Sequence, residues 1–263
     1  MRFIITLRVN AHRFGRLLPL NYQYEMSAAI YKTLSSGNED FAAWLHNNGF
    51  QTEEGKQFKL FTFSRFNVSS FRILRQSNQM ELKSEYVQWQ ISFWPENSTE
   101  KFIEGIFQDR VFEIGNRESK VQFEVANIEI LPPPEFQETM CYNTLSPISV
   151  SFRDESGRDN YPGAPQDFAQ AEWVRERLLV NLLDKYSAFY GEDFPRESFL
   201  DFSVMSEPKS SLVTIKAGTP QETRVRGFMC RFALRTAPEL QRIAYEAGLG
   251  ELNSQGFGCL GLM

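Results

Sequence analysis

The sequence predicts an α+β protein built from two tandem ferredoxin-like (RRM-like) domains, each with the order β-α-β-β-α-β. Two observations carry that expectation. Strand-like alternation and helical periodicity follow one another in this order twice along 263 residues. Between the two rounds, Pro132, Pro133 and Pro134 make a stiff break. The predicted division is 1–131 for the first domain, 132–138 for the linker and 139–263 for the second domain.

In the first round, Arg2–Val9 alternates and is rich in β-branched residues, which reads as a strand. From Tyr22 to about Leu34 the pattern turns helical. Met26, Ile30 and Leu34 recur four apart, and Tyr24, Ala28 and Tyr31 form a separate stripe. Ser35–Asn38 breaks this helix. Glu39 and Asp40 suit the first turn of the next, which carries Phe41, Trp44 and Leu45 and stops near Gly49. Phe58–Phe66 and Val87–Trp94 read as strands with a short hairpin between them. Asn97 and Ser98 precede a helix through Phe102, Ile103 and Ile106, and Val121–Leu131 closes the round as a strand.

The second round opens with strand-like Ile148–Phe152. A long helix after Pro165 carries Trp173, Leu178, Leu182 and Tyr186 on its apolar side. Phe199–Met205 and Arg224–Leu234 supply two strands, with a third around Leu212–Ile215. Pro238 fits the first turn of a helix through Leu240, Ile243 and Ala247. Phe257–Leu262 is the last strand.

Composition narrows the function classes. Hydrophobic residues make up 42% of the chain and charged residues 23%, the balance of an ordinary globular protein. No stretch approaches the ~18 apolar residues of a membrane helix, and the start resembles no signal peptide. Cys141, Cys230 and Cys259 are odd in number and scattered, which argues against a disulfide framework and for a reducing cytoplasm. The net charge of −5 conceals segregation. Residues 2–76 hold ten Lys/Arg against five Asp/Glu, residues 206–242 hold seven against three, and residues 77–205 hold eleven against twenty-three. Local basic surface is what phosphate recognition needs, whatever the global sum.

The segment 248–261 packs five glycines into fourteen residues. A dinucleotide fold would put a strand before such a run and a helix after it; here the order is reversed. A glycine-dense turn with close backbone approach remains, serving RNA contact or packing between domains. Metal chemistry has no ligand cluster to rest on, because the only histidines, His12 and His46, stand alone. No cofactor motif is present.

The run Tyr245-Glu-Ala-Gly-Leu-Gly-Glu-Leu-Asn-Ser254, continuing into Gly256-Phe257-Gly258, resembles the signature loop of the repeat-associated RNA-binding superfamily. Pro19–Tyr24, Ala29–Tyr31, Trp44-Leu-His46, Phe58–Ser64 and Thr144–Ile148 then resemble, in order, the CRISPR repeat-processing endoribonucleases, the sixth-numbered Cas family. The resemblance implies metal-independent cleavage of repeat RNA, in which the 2′-hydroxyl attacks its own phosphate to leave a 2′,3′-cyclic phosphate and a 5′-hydroxyl. It assigns His46 as general acid, with the reverse role of general base open to it, Tyr31 to orient or deprotonate the 2′-hydroxyl, with orientation favoured by the ordinary phenol pKa, and Lys59 to stabilise the transition state. Lys56 competes with Lys59, because the His-to-Lys spacing is long for the family.

RNA contacts are expected at Lys209, Lys216, Arg224, Arg226 and Arg231, beside the loop formed by Gly248, Gly250, Gly256, Phe257 and Gly258. The implied partner is CRISPR repeat RNA. Other Cas effector subunits and a second copy of the chain are further candidates. Two rival readings stand at this point: a non-catalytic RNA-binding subunit of an effector complex, and a protein-interaction module of the same topology.

Overall fold

The computed structural model describes all 263 residues. The first unit contains β1 (Arg2–Asn10), α1 (Gln23–Gly37), α2 (Glu39–Asn47), β2 (Phe61–Phe63), β3 (Tyr86–Phe93), α3 (Glu96–Gln108), β4 (Val111–Gly115) and β5 (Lys120–Leu131). Its antiparallel sheet runs β2-β3-β1-β5-β4. Apart from the edge strand β4, this is the order second-third-first-fourth of a β-α-β-β-α-β unit. Alternation explains the burial of β1: Phe3, Ile5 and Leu7 are sealed in the core with Met26, Ile30 and Leu34 of α1.

The second unit contains β6 (Thr139–Thr144), α4 (Glu172–Tyr190), β7 (Asp201–Val204), β8 (Lys209–Ile215), β9 (Thr223–Met229), β10 (Arg231–Arg235), α5 (Pro238–Glu246) and β11 (Leu260–Leu262). Its sheet runs β7-β10-β6-β11, again second-third-first-fourth. The tandem ferredoxin-like expectation therefore holds. β8 and β9 form a two-stranded hairpin outside this sheet. No helix is long and apolar enough to cross a membrane.

Three local expectations need correction. The opening strand of the second unit is Thr139–Thr144, not Ile148–Phe152. Pro147 offers no N–H to a ladder, and Ile148 makes only an isolated bridge to Phe228. The single strand expected over Arg224–Leu234 is two strands broken at Cys230. The amide of Cys230 donates to the Thr144 hydroxyl, and its carbonyl accepts from the Thr144 amide. Arg231 consequently lies in a different sheet from Arg224 and Arg226. Val111–Gly115, between α3 and β5, is an additional edge strand.

The two units meet over a polar seam. Arg2 is buried and donates to the carbonyls of Tyr245 and Leu260, with its guanidinium 3.6 Å from the centre of the Tyr245 ring. The Thr62 hydroxyl donates to the Phe257 carbonyl at 3.0 Å, and the Asn21 side chain accepts from the Thr214 amide at 3.2 Å. Between β5 and β6 the chain passes through Pro132–Pro134.

Candidate active site

On α1, Tyr24, Ser27, Ala28 and Tyr31 are spaced i, i+3, i+4 and i+7, so they share one face. That face forms one wall of a cleft of about 430 Å³. The cleft is completed by His46, Lys59, Lys216, Ser254 and Gln255, drawn from both units. No carboxylate is among the lining residues.

The short helix α2 delivers His46. Its start is fixed by Asn38, whose side chain accepts from the Phe41 amide at 2.7 Å, and its first turn holds Glu39 and Asp40. His46 sits in the last turn and is exposed. Its Nδ1 is 3.0 Å from the Asn47 side-chain oxygen, which leaves Nε2 as the nitrogen free to exchange a proton. The imidazole meets the Tyr31 ring edge-on, with centroids 5.2 Å apart, and Tyr31 leans on Phe61 in the same manner.

Burial pushes the Tyr31 hydroxyl well above the ordinary phenol range, and the Ser254 side chain only partly opposes it. A phenol so raised stays protonated at neutral pH. Lys59 is half-buried, and burial lowers its pKa. Its ammonium donates to the His46 carbonyl at 2.8 Å. Two backbone features aim it there. Leu60 has a left-handed φ of 52° and inserts its side chain into the core of the second unit. Gly49 ends α2 with φ 63°, and a Cβ at that position would come within 2.5 Å of the Phe58 carbonyl and crowd the Lys59 side chain. Lys56, the competing lysine, is ion-paired with Asp184 on α4 and does not line the cleft.

The glycine loop reaches the cleft through Ser254 and Gln255, whose roles the sequence reading missed. Ser27 on α1 donates its hydroxyl to the Ser254 carbonyl at 2.6 Å. Gly256 presses against α1 and β2, where a Cβ would lie 2.9 Å from the Gln23 side chain and 3.0 Å from the Phe63 ring. Gly248, Gly250, Gly256 and Gly258 are all buried against protein. Phe257 is fully buried among Val213, Ile215 and Val225, so its ring is unavailable for stacking on a base. That corrects the expected direct contact there and favours the interdomain-packing role of this loop. Lys185 of α4, itself buried, anchors the loop by donating to the carbonyls of Gly248 at 2.7 Å and Gly250 at 3.1 Å.

Among the expected RNA contacts, only Lys216 lies in the cleft. It follows β8 in a left-handed conformation and donates to the Gln221 side chain at 2.9 Å, keeping its charge unneutralised. Arg224 and Arg226 share one face of the β8–β9 hairpin. Arg224 is exposed and 3.7 Å from Glu222, and Arg226 donates to the Gly163 carbonyl at 2.7 Å. Lys209 is exposed at the start of β8, and Arg231 is exposed on β10.

Two ferredoxin-like units joined by a buried C-terminal glycine loop, with cations gathered at their seam, define a protein of the repeat-associated (RAMP) class. Residues 131–262 match the family described as CRISPR associated protein Cas6, C-terminal, and residues 17–129 match CRISPR-associated protein Cas6, N-terminal. The chain belongs to the Cas6 family. It is 29% identical over 251 residues to "CRISPR-associated endoribonuclease Cas6 1" of Methanocaldococcus jannaschii, covering 92% of this chain and 86% of that one. It is 26% identical over 258 residues to "CRISPR-associated endoribonuclease Cas6" of Pyrococcus furiosus, covering 98% and 88%. Among solved structures, "An RAMP protein binding different RNA substrates" superposes with a TM-score of 0.79 at 25% identity, covering 100% of this chain and 99% of that one. "CRISPR associated protein Cas6" superposes with a TM-score of 0.71 at 27% identity over the same shares.

Proposed function

We propose that this protein is an endoribonuclease that cuts CRISPR repeat RNA without a metal ion, leaving 2′,3′-cyclic phosphate and 5′-hydroxyl ends. The observation that carries the reading is the convergence of Tyr31, His46, Lys59 and Lys216 on one carboxylate-free cleft. Internal attack by a 2′-hydroxyl needs a proton donor for the departing 5′-oxygen and positive charge near the non-bridging oxygens. His46, with its Nδ1 held by Asn47, supplies the proton through Nε2. Lys59 supplies the charge, and Lys216 adds a second cation from the other unit. Tyr31, kept protonated by burial, orients the 2′-hydroxyl by hydrogen bonding.

In this reading residues 1–131 form the catalytic domain, 132–138 the linker, and 139–263 the domain that contributes the loop and the β8–β9 hairpin to the RNA path. Relatives named endoribonucleases along most of the chain support the assignment. The test is incubation with repeat RNA in excess chelator. Cleavage to cyclic-phosphate ends is expected. Loss of activity that a divalent ion restores would overturn the mechanism, and binding without cleavage would favour a role as an RNA-binding subunit.

A further inference from the structure

Arg65 lies two residues beyond β2, where the first unit faces the β8–β9 hairpin. Its amide donates to the Leu145 carbonyl at 3.0 Å, which fixes it at the seam. Its Nε is sealed from solvent and has no hydrogen-bond partner. Nη2 donates to the Ser211 hydroxyl oxygen, while Nη1 makes no hydrogen bond within the protein and is not sealed. The titratable group that acts on it is Tyr22, whose own phenol is raised by burial and so stays neutral. This cation has no counter-ion.

That arrangement is costly, because a largely desolvated charge left without a partner opposes folding. Arg2, whose Nε is likewise sealed and unpartnered, shows what a structural arginine looks like in the same molecule: its terminal nitrogens reach two carbonyl acceptors, and an aromatic ring lies beneath it. Arg65 has one serine. Ser211 accepts from Arg65, so its own hydroxyl proton remains free to donate. Nη1 and the Ser211 hydroxyl together make a two-pronged donor set suited to a phosphodiester.

The position along the hairpin points the same way. Ser211 and Lys216 are five residues apart on and just beyond β8, about 17 Å at strand rise. Lys216 ends in the cleft with His46. Lys209, two residues before Ser211, alternates onto the same strand face as the serine.

We propose that Arg65 and Ser211 form a phosphate-binding subsite for the RNA strand flanking the scissile bond, separate from the cleft that performs the cleavage. The subsite deepens the endoribonuclease reading and rests on it. RNA supplies the missing counter-ion, and the strand runs along β8 between this subsite and Lys216.

The experiment uses the full chain carrying His46→Ala, so that bound RNA survives, and a labelled single-stranded repeat RNA as probe. Arg65→Met in that background is expected to weaken binding on the order of tenfold, the loss typical of a charge-assisted hydrogen bond. It should reduce the slope of log affinity against log salt by ~0.7, one phosphate contact to a single strand. Its thermal midpoint should stay level or rise, because an unpaired buried charge has been removed. Ser211→Ala should weaken binding by a smaller factor and leave the salt slope unchanged. If Arg65→Met lowers the midpoint while affinity and slope stay at the parent values, Arg65 is an internal pin and the proposal fails. If the parent itself binds no repeat RNA, the endoribonuclease reading fails and takes this subsite with it.

Discussion

The Lys59 ammonium donates to the backbone carbonyl of His46 at 2.8 Å, so this cation of the cleft also holds the end of the helix that carries His46. Lys59→Ala is therefore expected to do two things: remove charge from the phosphate site and release the last turn of α2. Single-turnover cleavage should slow on the order of 10²-fold, the cost of losing one preorganised electrostatic contact, with some loss of affinity. Lys56→Ala should cleave at the parent rate, because Lys56 is engaged with Asp184. A large defect in Lys56→Ala with none in Lys59→Ala would reverse the assignment.

Tyr31 is predicted to act through its hydroxyl without ionising. Burial holds its pKa above the ordinary phenol range, so the group stays protonated at every pH where RNA is handled. Tyr31→Phe should lower the cleavage rate about tenfold, roughly one hydrogen bond in the transition state. The shape of the pH–rate profile should not change. Disappearance of a limb from that profile in Tyr31→Phe would show that the tyrosine transfers a proton after all.

The topology was legible in the sequence because it depended on local pattern, whereas His46 was singled out only through the family resemblance. Alternation in Arg2–Val9, the four-residue spacing of Met26, Ile30 and Leu34, and Pro238 at a helix start all express backbone geometry. Even the cleft-facing stripe of Tyr24, Ala28 and Tyr31 could be read, although not what it faced. What escaped was set by distant partners. Phe257 looks like an exposed aromatic in a glycine turn until the β8–β9 hairpin closes over it. Arg65 has no sequence signal at all; its meaning comes from the carboxylate that tertiary structure fails to place beside it. Thr139–Thr144 was overlooked because its alternation is partly polar, and in the more apolar Ile148–Phe152 the residues Ile148–Val150 are buried without joining the sheet.

Lys185 links the glycine loop to pH. Burial pushes its ammonium down to about 7 from an ordinary lysine value of 10.5, with Glu251 and Asp184 pulling it up and Lys56 pushing it down. Between those two values the unfolded chain binds a proton that the folded chain does not, so this group makes stability rise with pH. The whole contribution lies in that window; below about 7 both states carry the proton. The stability difference between the parent and Lys185→Met should shift toward the parent by about 2–3 kcal/mol from pH 7.5 to 9.5, since one pH unit corresponds to ~1.4 kcal/mol per proton. Denaturant titrations of both proteins at several pH values test this. A difference that does not vary with pH would mean that Lys185 keeps its proton on the Gly248 and Gly250 carbonyls throughout.

His46 separates the enzyme from the RNA-binding subunit. The imidazole is exposed, lies edge-on to Tyr31, and has its Nδ1 engaged by Asn47. In the proposed mechanism the ring acts on the leaving oxygen through Nε2, the nitrogen clear of Asn47, and that contact forms only as the bond breaks. His46→Ala should therefore remove ~10²–10⁴-fold of the single-turnover rate, the usual share of acid–base catalysis. Its affinity for repeat RNA should stay within about twofold, as expected for an interaction made only in the transition state. The contrast with Lys59→Ala matters, since a lysine charge acts on substrate and transition state together and should move both quantities. Parent-like cleavage by His46→Ala would remove this residue from the mechanism. A parent protein that binds the RNA tightly and never cuts it would make the cleft a binding site alone.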